Sequence, residues 1–283
     1  MGATKIEWCD MVWNPITGCE KVSEGCENCW AERMHKRFSK EPFHLVQFHP
    51  KRLEEPLKVK KPKKIFVCSM GDLFHPLVSP RHIDQILEVI EACEQHTFLT
   101  LTKRPQNIES KLYDVSEKTP VRFLGGGDYL PNLWFGISAE NQRTVVERVP
   151  ILLNTLTPIH FVSIEPMLGE VNLEPYLNNI NWVICGGETG PGPRIRPLHP
   201  DWAGDLRDQC MKAGVPFFFK QWGEWSADYG SSEDYDFYRN ETVHKNKTSD
   251  IWSDTEMFLV GKKLAGNILD GKVWNEFPKI EEV

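Results

Sequence analysis

The chain has 283 residues, of which 40% are hydrophobic, and carries a formal net charge of −7 at pH 7. This apolar content suffices for one large α/β domain or two smaller ones, and the acidic balance argues against a surface that coats nucleic acid broadly. No stretch of 18 apolar residues is present and residues 1–10 lack the layout of a secretory signal, so we expect a cytoplasmic protein.

The first predicted strand, at residues 11–16, leads into a loop with three cysteines in the pattern Cys-x6-Cys-x2-Cys. These are Cys19, Cys26 and Cys29, and a predicted helix at residues 29–39 follows them. The other cysteines lie singly in apolar or helical stretches, at positions 9, 68, 93, 185 and 210. Such a distribution is not that of a disulfide framework.

Three thiolates on one short loop suit either Zn²⁺ or an iron–sulfur cluster, since both prefer sulfur donors. A structural zinc site needs four ligands, and His35, about one and a half helical turns after Cys29, is the candidate for the fourth. In a [4Fe–4S] cluster the missing ligand instead leaves one iron open to a small molecule. The loop therefore predicts a metal centre and favours the cluster over zinc, with unliganded thiols as the third alternative.

A basic segment follows at residues 51–64, with seven basic and two acidic side chains, whereas residues 224–257 hold nine acidic side chains and three Lys or Arg. Solvated loops explain both segments. For residues 51–64 a local phosphate-binding patch is the alternative.

The remaining predicted strands are residues 64–70, 97–102, 133–138, 159–164, 182–187 and 215–220. Most are apolar without alternation, which is typical of parallel strands buried on both faces. Helical spacing fits residues 81–95, 139–153 and 199–213. Ser79-Pro80 is a cap for the first of these helices, and Gly214 ends the last. The repeated β–α order predicts a barrel or a doubly wound sheet.

Polar residues at the carboxyl ends of the predicted strands distinguish these two architectures. They are Ser69 and Asp72, Lys103 and Arg104, Ser138 and Glu140, Ser163 and Glu165, Gly186, Gly187 and Glu188, and Lys220 with Gln221 and Trp222. A barrel gathers its site from many strand ends, whereas an open sheet concentrates it at one switch point. We therefore predict an α/β fold, a partial (β/α)6-7 TIM-like barrel.

From Trp225 onward the chain becomes a polar, acidic loop, and apolar patterning returns only at residues 257–274. We expect the barrel to occupy residues 1–223 and a short C-terminal appendage, residues 224–283, to pack on it. Asp270-Gly271 marks a turn within the appendage.

Several stretches carry a family resemblance: KIEWCDMVWNPITGCEKVSEGCENCWAE, SMGDLFH, LTKRP, CGGETGPGPR and KQWGEW. Together they span residues 4–277 and resemble a phage-associated three-Cys-motif family of unknown reaction, whose members are named by gene-product numbers. More widely, a three-cysteine loop after the first strand of a β/α barrel is similar to the radical S-adenosylmethionine superfamily, which binds that cosubstrate at the open iron.

Three features depart from the superfamily pattern. Its usual spacing is Cys-x3-Cys-x2-Cys with an aromatic residue before the last cysteine, but here the first gap is longer and Trp30 follows Cys29. Its Gly-Gly-Glu motif ends the second strand, where this chain has Met70-Gly71-Asp72. The departures affect the residue-level map of the cosubstrate site more than the cluster.

The resemblance implies a radical enzyme with a [4Fe–4S] cluster on Cys19, Cys26 and Cys29, S-adenosylmethionine as cosubstrate and an external electron donor. Asp72 is the candidate for the amino group of the cosubstrate, and Lys103 or Arg104 for its carboxylate. The full set of expected cosubstrate contacts is Asp72, Lys103, Arg104, Ser138, Glu165, Gly186, Gly187 and Glu188. Their structural alternatives are a turn at Asp72, a helix start at residues 103–105 and helix capping by the two glutamates.

Phage association by resemblance, the basic segment and the arginines at 194 and 196 suggest a nucleotide or nucleic-acid substrate. The rival hypothesis is a zinc-binding, non-catalytic barrel that partners another phage-encoded factor. A metal-free hydrolase is a third, but it leaves the three-cysteine loop unexplained. The expected location is the cytoplasm of a bacterium or a phage-infected host.

Overall fold

The computed structural model describes residues 1–116, 130–192, 194–226 and 257–279. Its strands are β1 (Gly2–Ala3), β2 (Met11–Trp13), β3 (Ile16–Thr17), β4 (Gln47–Phe48), β5 (Lys64–Val67), β6 (Thr97–Thr102), β7 (Leu133–Ala139), β8 (His160–Ile164), β9 (Trp182–Gly186), β10 (Phe217–Gln221), β11 (Trp225–Ser226), β12 (Phe258–Leu259), β13 (Ile268–Leu269) and β14 (Lys272–Val273). Its α-helices are α1 (Trp30–Phe38), α2 (Pro80–Glu91), α3 (Ile108–Ser116), α4 (Gln142–Leu152), α5 (Pro200–Ala213) and α6 (Lys262–Ala265).

Eight strands form one sheet in the order β1-β2-β5-β6-β7-β8-β9-β10. Only the β1–β2 pairing in this sheet is antiparallel, and each later strand lies parallel to its neighbour. Helices α2, α3, α4 and α5 connect successive parallel strands. The fold is thus a partial TIM-like barrel, and the predicted fold class is confirmed.

The structure contains the predicted strands and helices, with two differences close to the three-cysteine loop and β6. The predicted strand at residues 11–16 is split into β2 and β3, because Pro15 lacks the N–H that a continuous ladder needs. Helix α3, which follows β6, was not predicted from the sequence. The caps agree with prediction: the Ser79 hydroxyl accepts from His82 N at 3.3 Å, and Gly214 ends α5 with φ of 71°.

The two faces of the sheet bury different sets of side chains. One set packs under the helices and includes Phe98, Phe135 and Val162. The alternate residues fill the concave interior with large rings, among them Trp8, Trp134, Phe161 and Trp182. Because strand residues alternate between faces, the residues nearer the carboxyl ends that share the inward face with these rings can be identified. They are Lys103, Ser138, Ser163, Glu165, Gly186 and Lys220. These rings fill the interior of the barrel, and its polar carboxyl end is therefore available for a site.

The described part of the C-terminal segment contacts the last strands. Trp274 O accepts from Phe219 N at 2.8 Å, and the Phe277 ring lies 5.1 Å from that of Trp182. The predicted acidic loop lies, from residue 227 to 256, outside the described residues. The division of the chain at 223/224 stays a prediction. Among the described helices, none has both the length and the apolar character needed to cross a bilayer.

Candidate functional site at the carboxyl ends of the strands

The three-cysteine loop, residues 18–29, crosses the carboxyl ends of the barrel strands. It begins at Gly18, which has φ of +91° and pairs with Gly71 after β5. A Cβ at Gly18 would lie 2.2 Å from the carbonyl oxygen of Leu45, so only glycine fits there. A short 3-10 turn, Glu24–Cys26, shapes the middle of the loop, and Cys29 precedes the first turn of α1.

The thiols of the loop differ from the other cysteines in exposure. Cys19, Cys26 and Cys29 are partly exposed, whereas the remaining five cysteines are buried. Burial raises the pKa of the Cys19 thiol to about 11, although Arg104 lowers it. Burial likewise raises the pKa of Cys29, against two backbone N–H groups and the charge of Lys103. Metal binding at this loop must therefore displace protons.

Arg104 joins the loop to the end of β6. Its Nη1 donates to Cys19 Sγ at 3.3 Å and to Asp72 Oδ2 at 3.0 Å, and its Nη2 donates to Glu20 O at 2.8 Å. Asp72 also accepts from Phe74 N and from the Thr102 hydroxyl, at 3.0 and 2.8 Å. Both side chains of the ion pair are buried. Asp72 is thus engaged in holding Arg104 beneath Cys19.

Lys103 points to a second buried carboxylate, Glu140, at the end of β7. The Lys103 Nζ lies 3.8 Å from Glu140 Oε2, and Arg148 Nη1 donates to the same oxygen at 3.0 Å. Burial raises the pKa of Glu140, but Lys103, Ser23 and Arg148 together hold it below its usual value. A Cβ at Gly25 would lie 3.1 Å from Glu140 Cδ, so the loop packs directly on this carboxylate.

Glu188, after β9, ties down the end of the loop next to Cys29. Its Oε2 accepts from Asn28 Nδ2 at 3.0 Å and from Arg196 N at 2.9 Å, while its Oε1 pairs with Arg196 Nη2. Arg196 in turn donates to Glu24 O at 2.9 Å. We call Asn28, Glu188 and Arg196 the latch. Its bonds occupy both carboxylate oxygens of Glu188, which the sequence had suggested as a contact of the cosubstrate.

Glu165 and Lys220 form a more accessible pair in the barrel mouth. Lys220 Nζ donates to Glu165 Oε1 at 2.5 Å, and their side chains are 16% and 20% exposed. A cavity of about 220 Å³ opens beside Glu165, and its lining also includes Cys29, Trp30, Ser69, Gly187 and Glu188. A larger cavity of about 840 Å³ lies at the opposite, amino ends of β8 to β10, away from the cysteines.

The two glycines at the end of β9, Gly186 and Gly187, serve different purposes. A Cβ at Gly187 would lie 1.9 Å from the Trp222 carbonyl oxygen, so this glycine admits the neighbouring backbone. A Cβ at Gly186 would meet Glu165 Cδ at 3.4 Å, an ordinary contact. Ser138 is buried below the mouth, and Arg148 donates to its carbonyl at 2.6 Å.

The donor set of the loop is three thiols, and the imidazole of His35 is engaged elsewhere. His35, the fourth zinc ligand suggested by the sequence, bonds through Nε2 to Glu41 O at 2.8 Å and packs against Phe43. Within the described ranges, no three His, Cys, Asp or Glu side chains are close enough to hold one metal ion. A four-iron cluster takes one thiolate on each of three irons, so three cysteines on one loop are a chemically suitable donor set for it.

The structure brings together the cysteines and most of the residues suggested for the cosubstrate, but in unequal roles. Glu165, Gly187 and Glu188 share a cavity with Cys29, whereas Lys103 and Arg104 approach the loop from β6. The latch residues Asn28 and Arg196 were not assigned there from the sequence, and Glu140 was seen only as a strand end. The basic segment runs from the carboxyl end of β2, where Arg52 Nη1 donates to Asn14 O at 2.9 Å, to the amino end of β5, where Lys63 O accepts from Thr97 N at 2.9 Å.

The model of the family described as "Protein of unknown function (DUF5131)" matches residues 3–278. No curated protein shows significant similarity to the sequence. Solved structures of similar fold include a cysteine-to-serine mutant of spore photoproduct lyase, with a TM-score of 0.48, 10% identity and 75% of each chain covered. Spore photoproduct lyase complexed with dinucleoside spore photoproduct gives a TM-score of 0.43 and 11% identity, covering 70% of this chain and 71% of that one.

Proposed function

This chain belongs to the family of proteins of unknown function DUF5131, and we propose that it is a radical S-adenosylmethionine enzyme with a [4Fe–4S] cluster on Cys19, Cys26 and Cys29. The observation that carries the proposal is the position of three partly exposed thiols on one loop over the carboxyl ends of parallel strands. Reduced and bound, the cluster would supply the electron that cleaves S-adenosylmethionine into methionine and a 5′-deoxyadenosyl radical, which takes hydrogen from a substrate.

Lys103 and Arg104, which directly follow β6, provide positive charge beside the three cysteine thiolates that would hold the cluster. Arg104 contacts the sulfur of Cys19, and the Lys103 charge acts on Cys29. Each cation is held by a buried carboxylate, Asp72 for Arg104 and Glu140 for Lys103. Because these charges are fixed before any metal binds, little reorganisation accompanies cluster binding.

We place part of the cosubstrate in the cavity beside Cys29. Its volume of about 220 Å³ is below the ~300–1,000 Å³ of typical small-molecule sites, so the remainder must extend into the open mouth. Glu165 and Lys220 are the accessible charged pair there and suit the amino and carboxylate groups of the ligand. Asp72 and Glu188, whose oxygens are already bonded, act by holding Arg104 and the loop.

The proposed substrate is a nucleotide or nucleic acid. Trp30 lines the cavity and is 46% exposed, so its ring is available to stack on a base. Arg194 is exposed near the latch and can meet a phosphate, whereas Arg196 is committed to Glu188. The basic segment at residues 51–64 gives no support, because none of its residues is among those that line the cavity beside Cys29. A partner protein stays part of the rival hypothesis only.

The test is anaerobic purification followed by iron and sulfide analysis and by incubation with S-adenosylmethionine and dithionite. We expect a four-iron visible spectrum and release of 5′-deoxyadenosine. Cys26→Ala should abolish cluster loading, while Cys210→Ala, which removes a thiol buried in α5, should not. A colourless chain with one zinc, folded only when metal is present, would instead establish the zinc-binding rival.

A further inference from the structure

Arg104 makes an unusual set of contacts for a residue next to a metal loop. One nitrogen, Nη1, lies within hydrogen-bond distance of both Cys19 Sγ and Asp72 Oδ2, at 3.3 and 3.0 Å, and Nη2 donates to Glu20 O at 2.8 Å. The side chain of Arg104 is 5% exposed. The guanidinium therefore interacts with Cys19 across a medium that screens charge poorly.

Resting on the proposed function, we infer that Arg104 sets the reduction potential of the cluster through its hydrogen bond to Cys19, with Asp72 as its positioning residue. One-electron reduction, by dithionite or the external donor, adds a negative charge to the cluster and leaves the ligands in place. A charged donor on a ligating sulfur stabilises that extra charge. The interaction raises the potential and so makes the cluster easier to reduce.

The contacts of Asp72 explain why arginine is needed at position 104. Asp72 is itself fixed by Phe74 N, the Thr102 hydroxyl and Lys103 N, so its Oδ2 is a fixed acceptor. The planar guanidinium fork reaches this oxygen, the sulfur and the Glu20 carbonyl together. A lysine ammonium would keep the charge but not the fork, so it should retain part of the effect.

The test is a redox titration of the anaerobically reconstituted full-length chain, with the reduced cluster followed by electron paramagnetic resonance. Arg104→Gln should have a lower midpoint potential than the wild type, and Arg104→Lys an intermediate one. Asp72→Asn should also shift the potential, because it releases the guanidinium. Arg207→Gln is the matched control, since it removes an arginine that pairs with Asp208 and Asp270.

Equal potentials in fully loaded wild type and Arg104 variants would overturn the inference. If Arg104→Gln loads poorly, the potential of Arg104→Lys decides. Loss of loading in both variants, with the circular dichroism of the fold retained, would make Arg104 an assembly residue and also refute the inference. A wild-type chain without iron and sulfide would refute the proposed function itself, so the two failures are distinguishable.

Discussion

Replacing Glu188 by glutamine should loosen the three-cysteine loop without unfolding the barrel. Glu188 is buried and accepts from Asn28, from the backbone N–H of Arg196 and from its guanidinium. Glutamine keeps the shape and one acceptor oxygen but loses the charge that pairs with Arg196. The latch, rather than the core, is what this substitution weakens.

The size of the effect follows from the bonds lost. A hydrogen bond to a charged group contributes about 1.5–3 kcal/mol. The Arg196 side chain is 28% exposed, so solvent screening reduces the expected loss to about 1–2 kcal/mol. At ~1.4 kcal/mol per factor of ten, the loop should open about 5 to 30 times more often.

Amide hydrogen exchange on the metal-free chain measures this opening. Cys26 N bonds to Ser23 O at 2.9 Å and Glu27 N to Glu24 O at 3.1 Å, so both amides report on the loop. Their exchange should accelerate by that factor in Glu188→Gln. Glu174→Gln, the same change in an exposed ion pair with Lys212, should leave them unchanged. Equal exchange rates of these two amides in the wild type and in Glu188→Gln would refute the role of the latch in holding the loop.

Four further outcomes follow from particular contacts. Gly136→Ala would place a Cβ 2.3 Å from the Phe161 ring and should cost about 1–3 kcal/mol in urea unfolding. Gly204→Ala in α5, whose Cβ would lie 3.9 Å from Arg207 Nη2, should not destabilise the chain. Lys220→Met should weaken cosubstrate binding about 10- to 100-fold in equilibrium dialysis, because it removes a charged partner; unchanged binding would place the cosubstrate elsewhere. Burial lowers the pKa of His160 from its usual 6.5, so the folded chain favours the neutral ring. The contribution of the neutral ring to stability is present above pH 6.5 and is lost as the pH falls through the lower pKa of the folded state. His160→Gln should therefore lose less of its urea midpoint between about pH 7 and about pH 5 than the wild type. In the anaerobically reconstituted protein, chelation of the proposed cluster should bleach the colour but leave the far-ultraviolet circular dichroism intact. Unfolding on chelation would contradict the contacts that hold the loop without metal.

The barrel could be predicted because its strands are near-continuous apolar runs, and a β–α repeat admits few topologies. The end of the barrel that carries the site also follows from strand direction. The same rule places the last residues of the basic segment, which lead directly into β5, at the far end from the cysteines. That signal was in the sequence, since Lys64 begins a predicted strand.

The roles of the carboxylates could not be predicted, because their partners lie far away along the chain. Glu188 looks like a ligand-binding acid after two glycines, yet its partners are Asn28 and Arg196. Glu140 becomes important only because Gly25 packs on it. Position at a strand end indicates that a carboxylate faces the mouth, but only tertiary contacts decide whether its oxygens are free for a ligand.

These contacts share one arrangement, in which each strand-end carboxylate holds a cation. Asp72 pairs with Arg104, Glu140 with Lys103 and Arg148, Glu165 with Lys220, and Glu188 with Arg196. Because the paired charges largely cancel, the mouth is held together by the protein alone, and the loop is positioned before any metal binds. The proposed cluster would then meet cations already in place, Arg104 beside Cys19 and the charge of Lys103 acting on Cys29. A zinc-stabilised fold differs, because there the free energy of metal binding is what orders the ligands.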